Sequence, residues 1–228
     1  MRLQATRTSV TSTGGAGDAL YRAAGSRPTL DQRFAKDKSL VDKVSGQNLI
    51  TFTRASSATY VGSDGLIKTA ANNEARFDHD PTTGESLGLL IEEAQTNLLA
   101  NSSGDVDSSY WAKNSMASTS TVDGPGGANT AIQYLSAGGT VNSKVQTLSN
   151  NYLTTVIGTQ YVVSCYIKGV NYDIVTFGGS AGSFGGNSRC RFDLSDGTLV
   201  SQAPAAESAR AIPAGNGWYR LEVVTIAA

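Results

Sequence analysis

The stretch Tyr161-Val162-Val163-Ser164-Cys165-Tyr166-Ile167-Lys168 decides the fold class. With a side-chain period of two, Tyr161, Val163, Cys165 and Ile167 fall on one face of a strand, and Val162, Ser164, Tyr166 and Lys168 on the other. Similar short segments surround it, at 118–122, 130–135, 143–148, 172–177, 189–194, 198–201, 209–212 and 218–226, separated by Gly/Ser/Asn/Asp clusters. Asp193-Leu194-Ser195-Asp196-Gly197 reads as a hairpin turn between two of them. Strands at this spacing, with no long amphipathic helix between them, predict an antiparallel β-sandwich over 96–228 and argue against a βαβ fold.

The composition agrees. Ser, Thr and Gly supply about a third of the 228 residues, while charged residues stand at 16%, well under the usual quarter. Helical surfaces need Glu, Lys and Ala; turns and strand faces do not. The N-terminus lacks the apolar core of a signal peptide, and no apolar run is long enough for a membrane helix, so the expectation is a soluble chain with no membrane insertion. Two cysteines and one histidine cannot build a disulfide framework, a thiolate metal centre or a multi-histidine site, and no cofactor is expected. Residues 1–47 carry eight basic and four acidic side chains on an otherwise acidic chain, but there are no basic runs, and Tyr21 is the one aromatic before Phe34. Nucleic acid is therefore not an expected partner.

Three segments follow from texture. Residues 1–27 are small, polar and Gly-rich, either a disordered terminus or an extended arm that docks on a partner. Residues 28–95 are a β-rich connector. Within it Leu49–Thr53 alternates as a strand, Gly62-Ser63-Asp64-Gly65 and Asp80-Pro81-Thr82-Thr83-Gly84 are tight turns, and two successive hairpins result. The run Leu87-Gly88-Leu89-Leu90-Ile91 fits a buried strand or part of a helix.

Asn48-Leu49-Ile50-Thr51-Phe52-Thr53-Arg54-Ala55-Ser56, then Ala58-Thr59-Tyr60-Val61, Asp64-Gly65, Glu74-Ala75-Arg76-Phe77-Asp78-His79-Asp80-Pro81 and Gly88-Leu89-Leu90-Ile91-Glu92-Glu93-Ala94-Gln95-Thr96-Asn97-Leu98-Leu99 resemble a module of tailed-bacteriophage fibre, spike and head-fibre proteins. Farther on, Asn97–Ser103, Tyr110-Trp111, Val122–Pro125, Ala131–Tyr134 and Gly217-Trp218-Tyr219-Arg220-Leu221 are similar to a jelly-roll carbohydrate-binding-module pattern. In that pattern at least one further strand follows Gly-Trp-Tyr-Arg, so a neighbouring subunit completes the sandwich or the chain is truncated. The resemblance implies a virion protein assembled in the host cytoplasm, built as a homotrimer and bound to phage head, portal or tail proteins through 1–27. The expected fold is an all-β connector and jelly-roll-like sandwich behind an extended arm. Alternatives are a carbohydrate-binding module, a depolymerase lacking its catalytic part, and a head decoration protein.

Catalysis finds little support in the residues. Adjacent side chains on a strand point to opposite faces, so in Asp78-His79-Asp80 at most the two aspartates converge, and Asp80 has a turn to cap. Glu92-Glu93 lacks an identifiable second carboxyl for glycoside hydrolysis, no nucleophile elbow is present, and no enzyme is expected. Gly178–Gly186 lacks the Gly-Lys-Ser ending of a phosphate loop and reads as a flexible hairpin loop. Arg54 and Arg76 lie among Asp78, Glu92 and Glu93, and the expectation for Arg54, Arg76, Asp78 and Glu92 is structural ion pairing. Sugar rings stack on flat aromatic surfaces. The candidates for a host-surface glycan are Trp111, Tyr134, Trp218 and Tyr219, with one of the last two facing outward.

Overall fold

The computed structural model describes residues 28–99, 110–136, 143–147, 153–179 and 186–228, with Tyr21, Ala23, Gly25, Ser102 and Phe184. Among these residues the chain is all-β, built from antiparallel sheets with one short helix, Phe34–Asp37. The expected arm, 1–27, lies outside the described residues apart from Tyr21, Ala23 and Gly25. Tyr21 donates its hydroxyl to Asp31, which also accepts from the Arg33 guanidinium.

In the connector, β1 (Ala58–Val61) pairs with β2 (Ile67–Ala70), and β3 (Phe77–His79) with β4 (Ser86–Leu89). Both turns form where the sequence places them. Gly65 closes the first at φ +74°, with Asp64 Oδ1 accepting the Leu66 N–H at 3.2 Å. In the second, Asp80 Oδ1 accepts the N–H groups of Thr82 and Thr83, both at 2.8 Å. Those two amides hold the Asp80 carboxyl below its ordinary range. The run 87–91 resolves toward strand, with β4 ending at Leu89. Leu49–Thr53 is a correction: it forms no strand. Side-chain amides take up its backbone instead: with its amide oriented to satisfy its neighbours, Asn48 donates to the Ile50 carbonyl at 2.9 Å, and Asn73 Oδ1 accepts the N–H of the following Arg54 at 2.9 Å.

The two hairpins are stitched together by side chains rather than by a core. Val61 gives its N–H to Asp78 Oδ1 at 2.7 Å, and its carbonyl lies 3.0 Å from His79 Nδ1. Arg76 Nη1 donates to the Thr59 carbonyl at 2.8 Å and to Glu92 Oε2 at 2.7 Å. Arg76, just before β3, with Asp78 and His79 on it, thus satisfies the outer edge of β1, an edge that water or a further strand would otherwise take. Strict alternation would forbid neighbouring Asp78 and His79 from reaching the same residue. The β3–β4 register shifts between these two, and that irregularity breaks the alternation. The expected ion pairs are corrected accordingly: Arg76–Glu92 forms, whereas Asp78 caps an amide. Arg54 spends its guanidinium on the carbonyls of Ser56, Glu74 and Ala71 and lies over the Phe52 ring, because carbonyls, with no carboxylate among them, ring its position.

Of the buried side chains in residues 28–99, Ala70 is apolar, while Asp42, Arg76 and His79 are polar or charged. Asp42 is fully buried and accepts the N–H of Asp31 at 2.7 Å, the N–H of Ser45 at 2.8 Å and the Ser45 hydroxyl at 2.7 Å. These donors, the Asp31 amide foremost, hold its carboxyl far below the usual range. A depressed folded-state pKa contributes stability above the unfolded value of about 4, and this is lost as pH falls toward the folded value. The urea midpoint of the connector is therefore expected to drop between pH 6 and pH 3, and Asp42→Asn to flatten that slope. An equal slope in both proteins would reject the assignment.

The C-terminal region carries two two-stranded sheets and a sandwich. β5 (Trp111–Asn114) pairs with β8 (Lys144–Thr147), and β6 (Met116–Gly124) with β7 (Gly127–Ser136). The sandwich has one sheet of β10 (Ile174–Phe177), β11 (Cys190–Asp193) and β12 (Thr198–Ser201) in that order. Its second sheet runs β13 (Ala206–Pro213), β14 (Tyr219–Ile226), β9 (Gln160–Ile167). Cys190, Phe192 and Leu194 of the first meet Leu221 and Val223 of the second, with Cys165, Ile167, Val175 and Phe177 packed around them. The predicted inner face of 161–168 is the one that packs there. Cys165 and Cys190 are both free thiols, and burial pushes the Cys165 thiol up to about 12, so it behaves as a small apolar group.

Candidate functional site

The outer face of the β13–β14–β9 sheet gathers most of the polar chemistry of the sandwich. Antiparallel pairing places Arg220 opposite Tyr166 on one side and Ile212 on the other. Glu222 stands opposite Ser164 and Arg210, and Val224 opposite Val162 and Ser208. Cross-strand partners share a face, so these rows form a grid on the solvent side of the sheet. Its half nearer the β13–β14 turn carries Arg210, Arg220, Glu222 and Tyr166; its far half carries Val162, Val224 and Ile226 with Ser208 and Gln160 beside them.

Glu222 organises the polar half. Its Oε2 accepts Arg210 Nε at 2.7 Å and Nη2 at 2.6 Å, and its Oε1 accepts Arg220 Nη2 at 3.0 Å. The carboxylate is 8% exposed, whereas the Arg210 side chain is 71% and the Arg220 side chain 41% exposed. The negative group is thus recessed and the guanidinium groups stand forward of it. Arg210 uses Nε and Nη2 on the carboxylate, which leaves its terminal edge open as a fork of donors.

Tyr166 is 42% exposed beside this triad, and among the described residues no guanidinium lies over its ring. Burial of part of the ring raises the phenol pKa. Arg220 opposes the rise, while Glu222, Asp78 and Glu92 add to it. Those last two carboxylates place the connector at the Tyr166 end of the face. The same proximity appears where Gly215, in the β13–β14 turn, comes so close to the Pro81 carbonyl that a Cβ there would lie 2.8 Å from it.

The four glycan candidates lie on three sheets. Trp111 is on β5, Tyr134 on β7, Trp218 in the turn before β14 and Tyr219 at its start; all four are half-buried. Tyr219 packs against the core, and its ring abuts Gly197. Trp218 is held in the turn, its N–H donating to the Gly215 carbonyl at 2.8 Å. The expectation that one of Trp218 and Tyr219 faces outward rested on strand alternation; Trp218 precedes β14, so alternation does not govern it. Arg210, Arg220 and Glu222 escaped sequence reasoning. The Arg-x-Glu spacing at 220–222 was the available signal, and it gains meaning only once register sets Arg210 and Tyr166 beside it. Comparison with protein-family models and with curated proteins found no match.

Proposed function

We propose that the chain is a non-enzymatic structural subunit of a tailed-bacteriophage particle, a fibre or spike protein that assembles as a homotrimer. In this reading 1–27 docks on head, portal or tail proteins, the stitched hairpins form a connector, and a jelly-roll-like sandwich meets the host surface. The ordered motif blocks from Asn48 to Leu99 support the family. The balance of apolar surface carries the reading.

Phe184, Phe192, Leu194, Leu221 and Val223 are the large aliphatic and aromatic side chains buried among the described residues, yet seventeen others are exposed. Single exposed apolar residues are ordinary; grouped ones mark an interface. Val162 is 58% exposed, Val156 65% and Ile157 80%, and the Gly158 N–H to Ala227 carbonyl bond of 2.7 Å brings the 156–157 turn to the end of β14, beside Ile226. Sister copies would cover this group. Light scattering is expected to give three chains per particle, and Ile157→Glu with Val162→Glu to give one. A folded single chain in the unsubstituted protein would reject the reading.

A further inference from the structure

The polar half of the β13–β14–β9 face lies apart from the exposed apolar group formed by Val156, Ile157, Val162 and Ile226. A recessed carboxylate fixes two guanidinium groups, one of them offers its terminal fork to solvent, and a partly exposed aromatic ring stands on the neighbouring strand. A free arginine must be ordered before it can grip a ligand; here Glu222 has already ordered it.

We infer that this face binds an acidic saccharide, with the Arg210 fork on a sugar carboxylate and the Tyr166 ring beneath an adjoining sugar. Charge display places the anionic group at the Arg210 end, where Arg210 and Arg220 are exposed and Glu222 is recessed, since Asp78 and Glu92 act on the Tyr166 end. Geometry favours a saccharide over a simple anion. From Arg210 on β13 to Tyr166 on β9 is two strand spacings and one two-residue step, roughly 12 Å, a span that linked sugar rings bridge and one sulfate or phosphate does not. A planar carboxylate matches the fork of two parallel N–H groups. Ring faces with apolar C–H groups match the phenol. Ser164, opposite Glu222, adds a hydroxyl between the two ends. This inference rests on the host-attachment reading above and supplies its chemistry.

The test uses the full chain, trigalacturonic acid, and the methyl ester of the same trisaccharide as the neutral comparison, by calorimetry at pH 7 and low salt. Saturable binding of the acid is expected, at least tenfold weaker for the ester. Arg210→Lys keeps the charge beside Glu222 but loses the fork, and Tyr166→Ala removes the ring without touching the triad. Each is expected to weaken binding about tenfold with an unchanged far-ultraviolet circular dichroism spectrum. No saturable binding, equal binding of acid and ester, or full displacement by equimolar inorganic sulfate would overturn the inference. So would a change of particle mass in Tyr166→Ala, which would assign the face to contacts between copies. Mass and binding are read separately. Three chains per particle without binding removes the ligand and leaves the assembly, and a single chain that binds removes the assembly and leaves the ligand.

Discussion

Phe192→Ala is expected to cost about 3–5 kcal/mol and to leave the sandwich without a cooperative unfolding transition at 37 °C. Phe192 is fully buried on the central strand of its sheet and meets Leu221 and Val223 of the opposite sheet. Truncation removes the transfer free energy of the ring and leaves a cavity lined by β-strands, whose ladders resist collapse. Whole domains are stable by only about 5–15 kcal/mol. A core with so few large side chains has little in reserve. Leu199→Ala, on a strand whose residues are all exposed, serves as the comparison and is expected to shift stability by about 0.5 kcal/mol or less. Urea unfolding followed by tryptophan fluorescence measures both. A shift below about 1 kcal/mol for Phe192→Ala would show that the two sheets do not share this core.

The second large effect is expected at Gly178, which follows β10 with φ +142°. A Cβ there would lie 2.4 Å from the Ser188 carbonyl oxygen and 2.9 Å from Arg189 Cα, both backbone atoms that lead into β11. No side-chain rotation relieves such a clash, so Gly178→Ala must displace the entry to the central strand. Backbone strain and overpacking together set the expected cost at about 2–4 kcal/mol. Gly158→Ala separates the two contributions. Gly158 has φ +81° with nothing within 4 Å of the added methyl, so only the conformational penalty of about 1 kcal/mol remains. Equal urea midpoints for the two variants would show that the close approach at Gly178 is not rigid.

Local chemistry made much of this fold legible. Asp193 Oδ1 accepts the Ser195 N–H at 2.9 Å and the Asp193 carbonyl accepts the Gly197 N–H at 2.9 Å, so the turn read from Asp-Leu-Ser-Asp-Gly forms, and the following strand runs over the expected 198–201. The alternation in 161–168 identified the buried face because period two is a property of the strand itself. Pairing between distant strands has no such local signature. β9 lies beside β14, some sixty residues later, and the Arg210–Glu222–Arg220 group with Tyr166 exists only through that register. The register shift at Asp78/His79 was hidden for the same reason. It arises from how two strands meet, and it sends both side chains to Val61 against the rule for a regular strand.

The connector, held by Asp42, Arg76, Asp78 and His79 with Ala70 as its buried apolar side chain, is expected to respond to temperature differently from the sandwich. Hydration of apolar groups gives unfolding its positive heat capacity and weakens burial on cooling. A unit that exposes chiefly peptide and polar groups when it opens has a small heat-capacity increment and a nearly flat stability curve. Chilling toward freezing is therefore expected to loosen the sandwich before it loosens the two hairpins.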